Sequence, residues 1–154
     1  MNPKLHALFV DYTDCHRHPM NRLTHKIAIP VIVLHIMAML SWIPLHVSVA
    51  GVALHAGHIG WLVATGWYLS MHVRLGLMLA VLFGLATWAG EQLSVPVVVG
   101  LAAVGWLVQL AGHTVWEKKQ PAFLTNLLQA LVGPMYFVAL LTGDWKVEPA
   151  EARA

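Results

Sequence analysis

The stretch that decides the fold is "RLGLMLAVLFGLATWAGEQLSVPVVVGLAAVGWLVQLAGHTVWEKK", Arg74–Lys119. It contains two uncharged runs, 75–90 and 92–116, parted by Glu91 and fenced by Arg74 at one end and Glu117, Lys118 and Lys119 at the other. A helix that crosses a bilayer needs about 20 mostly apolar residues, with a range of roughly 17–25. The second run meets that length. The first is a little short, and Arg74 lengthens it by snorkelling to the headgroups. Leu, Val, Ala, Gly and Trp follow one another without strict alternation, which predicts helices and not the alternating strands of a membrane barrel.

Further uncharged runs lie at 27–45, 47–73 and 120–143. The 154 residues are 58% hydrophobic and only 10% charged, where a soluble domain carries about a quarter charged residues. The expected fold is therefore all-α, a polytopic membrane helix bundle with four to five transmembrane helices. One membrane-embedded domain spans 1–154: a polar N-terminal helical segment at 1–26, membrane helices over 27–143, and a polar tail at 144–154 that is expected to fray. The last run, which carries Asn126, Gln129 and Pro134, either crosses or re-enters and returns. The N-terminal residues lack the basic, apolar, small-residue order of a cleaved signal peptide. The lone Cys15 excludes an internal disulfide and a cysteine-rich metal site. No basic patch with interleaved aromatics points to nucleic acid, and no internal repeat stands out.

Basic residues mark the cytoplasmic side of short loops. Lys4, Arg17, Arg22 and Lys26 precede the first span, Arg74 follows the second, and Lys118 and Lys119 follow the fourth. With the N-terminus inside, alternating spans satisfy all three positions. The expectation is a bacterial inner-membrane protein whose polar N-terminal segment and His113 segment meet on the cytoplasmic face. The tryptophans are expected to anchor at the interfaces.

Those two segments hold the candidate chemistry. Tyr12 and His16 share a helical face. Pro19 disfavours helical geometry at His18, and Asn21 is a suitable N-cap for a second helix, so a helix–turn–helix can bring His16 and His25 together. His113 and Glu117 also share a face, with Gln109 one turn earlier. His16, His25, His113 and Glu117 offer imidazole and carboxylate ligands, which suit iron(II) or zinc, with the amides of Asn21 and Gln109 placed to hold the imidazoles. The plainer reading of His113 and Glu117 is a hydrogen-bonded pair at a helix end. For His35, His55, His58 and His72, hydrogen bonding between helices is favoured over function.

The segments "DYTDCHRHPMNRLTHKIAIP", 11–30, and "QLAGHTVWEKKQPAFLTN", 109–126, together resemble the yeast-type 2-hydroxy fatty acid dioxygenases, a family of small membrane proteins. The resemblance rests on Tyr12, His16, Asn21, His25 and Pro30, and on Gln109, Gly112, His113, Glu117, Pro121 and Ala122. It implies an iron(II)-dependent oxidoreductase of fatty acid α-oxidation that uses O₂ to shorten a 2-hydroxy long-chain fatty acid by one carbon. His16, His25, His113 and Glu117 would then be the metal set, Glu117 and Tyr12 the catalytic groups, and Asn21 and Gln109 the supports of the cofactor. Glu117 is either a ligand or an orienting carboxylate. Two other classes stay open: a transporter or proton or metal relay built on the intramembrane histidines, and a zinc-dependent lipid hydrolase with the same ligands.

Overall fold

The computed structural model describes residues 1–124 and 126–147. It is mostly helical: α1 (Pro3–Asp14), α2 (Pro19–Ser41), α3 (Ala56–Met71), α4 (Val73–Glu91), α5 (Val95–Ala111) and α6 (Leu128–Thr142), with a hairpin of β1 (Pro44–Val49) and β2 (Val52–His55) between α2 and α3. Three helices are long and apolar enough to cross a membrane: α2, α4 and the continuous Val95–Glu117. Their outward faces bear large exposed apolar side chains such as Ile27, Leu77, Val81, Trp88, Val99 and Leu107. Lipid contact accounts for such a surface, and water does not.

The expectation of four to five all-helical spans is met only in part, and two of the apolar runs fold differently from it. The 47–73 run is not one helix. Its first part is rich in β-branched residues, Val47, Val49 and Val52, and folds back at Ala50 (φ 51°) and Gly51 (φ 82°). Two consecutive positive φ values make the tight turn that matches strand twist, pairing Val49 with Val52 and Ser48 with Ala53. What is left for α3 is 16 residues, about 24 Å of helix at 1.5 Å per residue.

The 120–143 run also yields a short helix, α6, of 15 residues. Before it, Phe123 meets Trp106 of α5 at 5.7 Å between ring centroids, and in its first turn Gln129 and Leu131 line a cavity with Phe83 and Met37. It ends at Asp144, whose Oδ1 accepts from Arg74 Nη1 at 2.9 Å. Arg74 lies at the start of α4. The chain therefore enters beside α5 and returns to the face it left, the second of the two routes open to this run.

The polar tail is partly corrected as well. Trp145 docks edge-on against Phe9 and His6, each at 5.3 Å. Residues 148–154 of the tail lie outside the described residues.

Small residues set the helix spacing. A Cβ on Gly90 would lie 2.9 Å from the Ala38 backbone, joining the C-terminal ends of α2 and α4. A Cβ on Gly112 would run into Thr24 Oγ1 and Asn21 Oδ1. That contact brings the far end of α5 against the start of α2, so the two run antiparallel. Close approach through small residues drives helix association in lipid, where apolar surface gains little from leaving its solvent. The arrangement collects the end of α1, the starts of α2 and α4, and the end of α5 at one face.

Candidate metal centre

The turn between α1 and α2 builds half of the site. His18, with extended backbone, is the N-cap of α2, and its Nδ1 accepts from Met20 N at 3.1 Å. Pro19 takes the first helical position, which its fixed φ favours. Asn21 is thus not the cap expected from the sequence. It lies inside the first turn, fully buried, where its Nδ2 donates to Cys15 O at 3.2 Å and Glu117 Oε2 at 3.1 Å. The other half is a widened turn: residues 112–117 are π-wound and stop at Lys118 in the left-handed region (φ 54°). Such turns are rare and recur at functional sites.

Between these halves His16, His25 and His113 converge, each at most 1% exposed. One ligand atom from each lies within 4.8 Å of the others, and the Nε2 atoms of His25 and His113 are 3.0 Å apart. The backbone fixes two of the tautomers. His16 Nδ1 donates to Tyr12 O at 2.7 Å and His25 Nδ1 to Asn21 O at 2.8 Å, which leaves both Nε2 atoms as lone pairs. His16 Nε2 and His113 Nδ1 have no hydrogen-bond partner.

Three buried imidazoles, two with fixed lone pairs and His113 with its Nε2 3.0 Å from that of His25, fit a first-row transition ion. Cis ligands at the usual metal–nitrogen distance of about 2.1 Å lie roughly 3.0 Å apart. An all-imidazole set suits iron, zinc, copper or nickel. Burial pushes the His16 imidazole down to about 3 from its ordinary 6.5, so it remains a neutral donor throughout the physiological range. In the unfolded chain His16 takes a proton below about 6.5, so falling pH favours unfolding and loss of the centre. The Tyr12 ring stacks on His16 at 3.9 Å and 7°. Burial, then the neighbouring Tyr136 and Cys15, hold its hydroxyl well above its usual pKa, as the neutral form.

Glu117 is not in the converging set. Its Oε1 accepts from Arg17 N at 3.0 Å, and its Oε2 from His18 N at 2.9 Å and from Asn21. The carboxylate clamps the α1–α2 turn at the N-terminus of α2, where the helix dipole favours an anion. It holds His16 and His25 in place from outside. We expect Glu117→Gln to lower metal affinity about 10–100-fold without abolishing it, measured by competition with a chelator. Loss as complete as that of a histidine variant would make the carboxylate a direct ligand, and unchanged affinity would remove it from the site.

The centre opens into lipid-like space on two sides. A cavity of about 190 Å³ runs from Tyr12, His16 and His113 past Ile32, Ile36 and Trp106, with Gln109 and Gln129 in its wall. A second, of about 400 Å³, passes from His25 and Lys26 along Pro30, Leu82, Ala86 and Phe137.

A family model described as 2-hydroxy-palmitic acid dioxygenase Mpo1-like matches residues 3–145. The chain belongs to the Mpo1-like family. The 2-hydroxy-palmitic acid dioxygenase MPO1 of Saccharomyces cerevisiae is 30% identical to it over 131 residues, 82% of this chain and 72% of the yeast protein. No solved structure matches. The relative is eukaryotic, so it lends nothing to the bacterial inner membrane expected from composition.

In this Mpo1-like chain the remaining intramembrane histidines are accounted for by local structure. His35 Nδ1 lies 3.2 Å from Val31 O on its own helix, and His72 caps α4. His55, His58 and Glu91 form a second cluster at the opposite end of the bundle, but its proton arrangement differs. His55 Nδ1 accepts from Gly57 N at 3.1 Å and His58 Nδ1 from His55 N at 3.3 Å. Both protons are thereby placed on Nε2. His55 Nε2–H donates to Glu91 Oε1 at 2.7 Å, tying the hairpin to α4. The cluster is a latch, and its Nε2 atoms are not free to ligate.

Two residues around the candidate centre carry little signal in the sequence of this Mpo1-like chain. Gly112 stands in the sequence as part of a motif, and only the structure shows that its lack of a Cβ lets the two halves meet. The signal of Gln129 is a polar amide amid an apolar run, a costly placement in lipid.

Proposed function

We propose that this chain is an iron(II)-dependent dioxygenase of 2-hydroxy long-chain fatty acids, with the ion held by His16, His25 and His113. The observation that carries the reading is the convergence of three buried imidazoles, two with tautomers fixed by backbone carbonyls, at the mouth of an apolar cavity. The family name and the yeast relative's name supply the substrate class. An iron held by His16, His25 and His113 would supply O₂ activation and a Lewis-acid site for the acid's polar head. The reaction breaks the C1–C2 bond: a 2-hydroxy acid and one O₂ give the acid one carbon shorter, CO₂ and water, which balances without a further reductant.

The chain's own groups do the rest. Tyr12 holds a neutral hydroxyl beside His16 and packs its ring on the imidazole, limiting the ring's motion. Glu117 and Asn21 fix the turn that carries two ligands. Ile32, Ile36, Met37 and Trp106 exclude water and receive the first carbons of the tail, at little desolvation cost. The basic residues Lys4, Arg17, Arg22, Arg74, Lys118 and Lys119 favour a cytoplasmic orientation of this face under the positive-inside bias.

The test is metal analysis of anaerobically purified protein combined with O₂ uptake and product analysis on 2-hydroxypalmitate. We expect about one iron per chain, the stoichiometry of a single imidazole site, and a fifteen-carbon acid with stoichiometric O₂ loss, as the carbon balance requires. Zinc alone, with no O₂ uptake on any 2-hydroxy acid, would reverse the reading in favour of a hydrolase.

A further inference from the structure

The cavity beside His16 and His113 contains a feature its apolar wall does not explain. Gln129, on the first turn of α6, is 5% exposed, and its Oε1 has no hydrogen-bond partner among the described residues. Gln109 lines the same cavity from α5, at 6% exposed and also with an unpartnered Oε1. The wall around them is Ile32, Ile36, Met37, Trp106 and Phe123. A buried amide without a partner is destabilising, so its retention in a packed wall calls for a ligand group.

We propose that Gln129 is a specificity-determining residue that hydrogen-bonds the 2-hydroxyl of the bound acid, so that the pocket selects 2-hydroxy acids over unsubstituted ones. The inference rests on the substrate reading above. An amide both accepts and donates, and so does a hydroxyl, whereas a carboxylate only accepts. The cavity, about 190 Å³, has room for a head and the first few carbons. One turn along α6, Gly133 sits against the Tyr12 hydroxyl, and Tyr12 stacks on His16. Gln129 therefore shares one cavity with Tyr12, His16 and His113, and an acid whose head lies at the histidines would run its next carbons along the wall that carries the amide. A site built to bond a hydroxyl rejects the analogue that lacks it, because its own polar group is left unpaired.

The test measures binding of 2-hydroxypalmitate and of palmitate to metal-free, full-length protein in detergent, by calorimetry, so that affinity of the head for an ion does not enter. Wild type is expected to prefer the hydroxy acid by about tenfold, the worth of one such hydrogen bond. Gln129→Leu and Gln129→Met are expected to bind the two acids equally, and to melt at or above the wild-type temperature because an unserved amide is gone. A lower melting temperature in both variants would make the amide a structural strut and overturn the proposal. So would a preference that survives in either variant, or no preference in wild type. Wild type that binds neither acid would bring down the substrate reading itself, a result distinct from these.

Discussion

His25→Ala and His113→Ala are each expected to leave the purified protein without bound metal and with O₂ uptake reduced by more than about 100-fold, above the 10–100-fold typical of losing an outer partner. His16→Ala should behave alike. Each histidine supplies one of three donors in a space closed to water, and none of the neighbouring groups can replace it. Glu117 is engaged by three donors at the α1–α2 turn, and Gln109 is an amide. His55→Ala and His72→Ala should keep both metal and activity, since these side chains cap helices at Gly57 and Leu75. Elemental analysis of the five variants beside wild type decides the matter. Metal lost from His55→Ala and kept by His25→Ala would move the centre to the opposite end of the bundle.

Gly112→Ala should be nearly as damaging, although it removes no polar atom. The added methyl would meet Thr24 Oγ1 and Asn21 Oδ1 and come within 3.3 Å of His25 Cε1. Neither α2 nor the π-wound turn yields easily, because Asn21 is tied to Cys15 and Glu117. Overpacking of this kind costs about 1–3 kcal/mol, and the displacement falls on the contact that holds His113 against His25. Positioning errors of this kind at a metal centre are costly to chemistry. The expected result is a folded protein with metal affinity down at least about tenfold. Gly100→Ala is the control: nothing lies within 4 Å of a Cβ there, and alanine is the better helix former by about 1 kcal/mol. If both glycine variants retained metal equally, close approach at residue 112 would not be what builds the site.

The sequence made the helical class and the membrane legible, because charge and hydropathy are local properties that survive without coordinates. It also placed His16, His25 and His113 in one neighbourhood, since Pro19 breaks the chain between two of them and the basic residues bring the third to the same face. Direction was not legible. Helical spacing puts Glu117 beside His113, yet it does not say that the carboxylate turns to the N–H groups of Arg17 and His18. The hairpin escaped notice because Ala50, at positive φ, is not a residue that advertises a tight turn. The length of α6 is hidden for a similar reason: an apolar run shows that a segment can sit in lipid, and it does not say how much of the run is helix.

The return of the chain to Arg74 bears on how the protein matures. Every group argued to touch the ion, and the helix that walls the cavity beside it, reaches its place from one aqueous compartment. Delivery of the ion and closure over it can then follow insertion of the long helices, with nothing hydrophilic dragged through the bilayer. Maturation becomes a soluble-side event in an otherwise lipid-bound molecule.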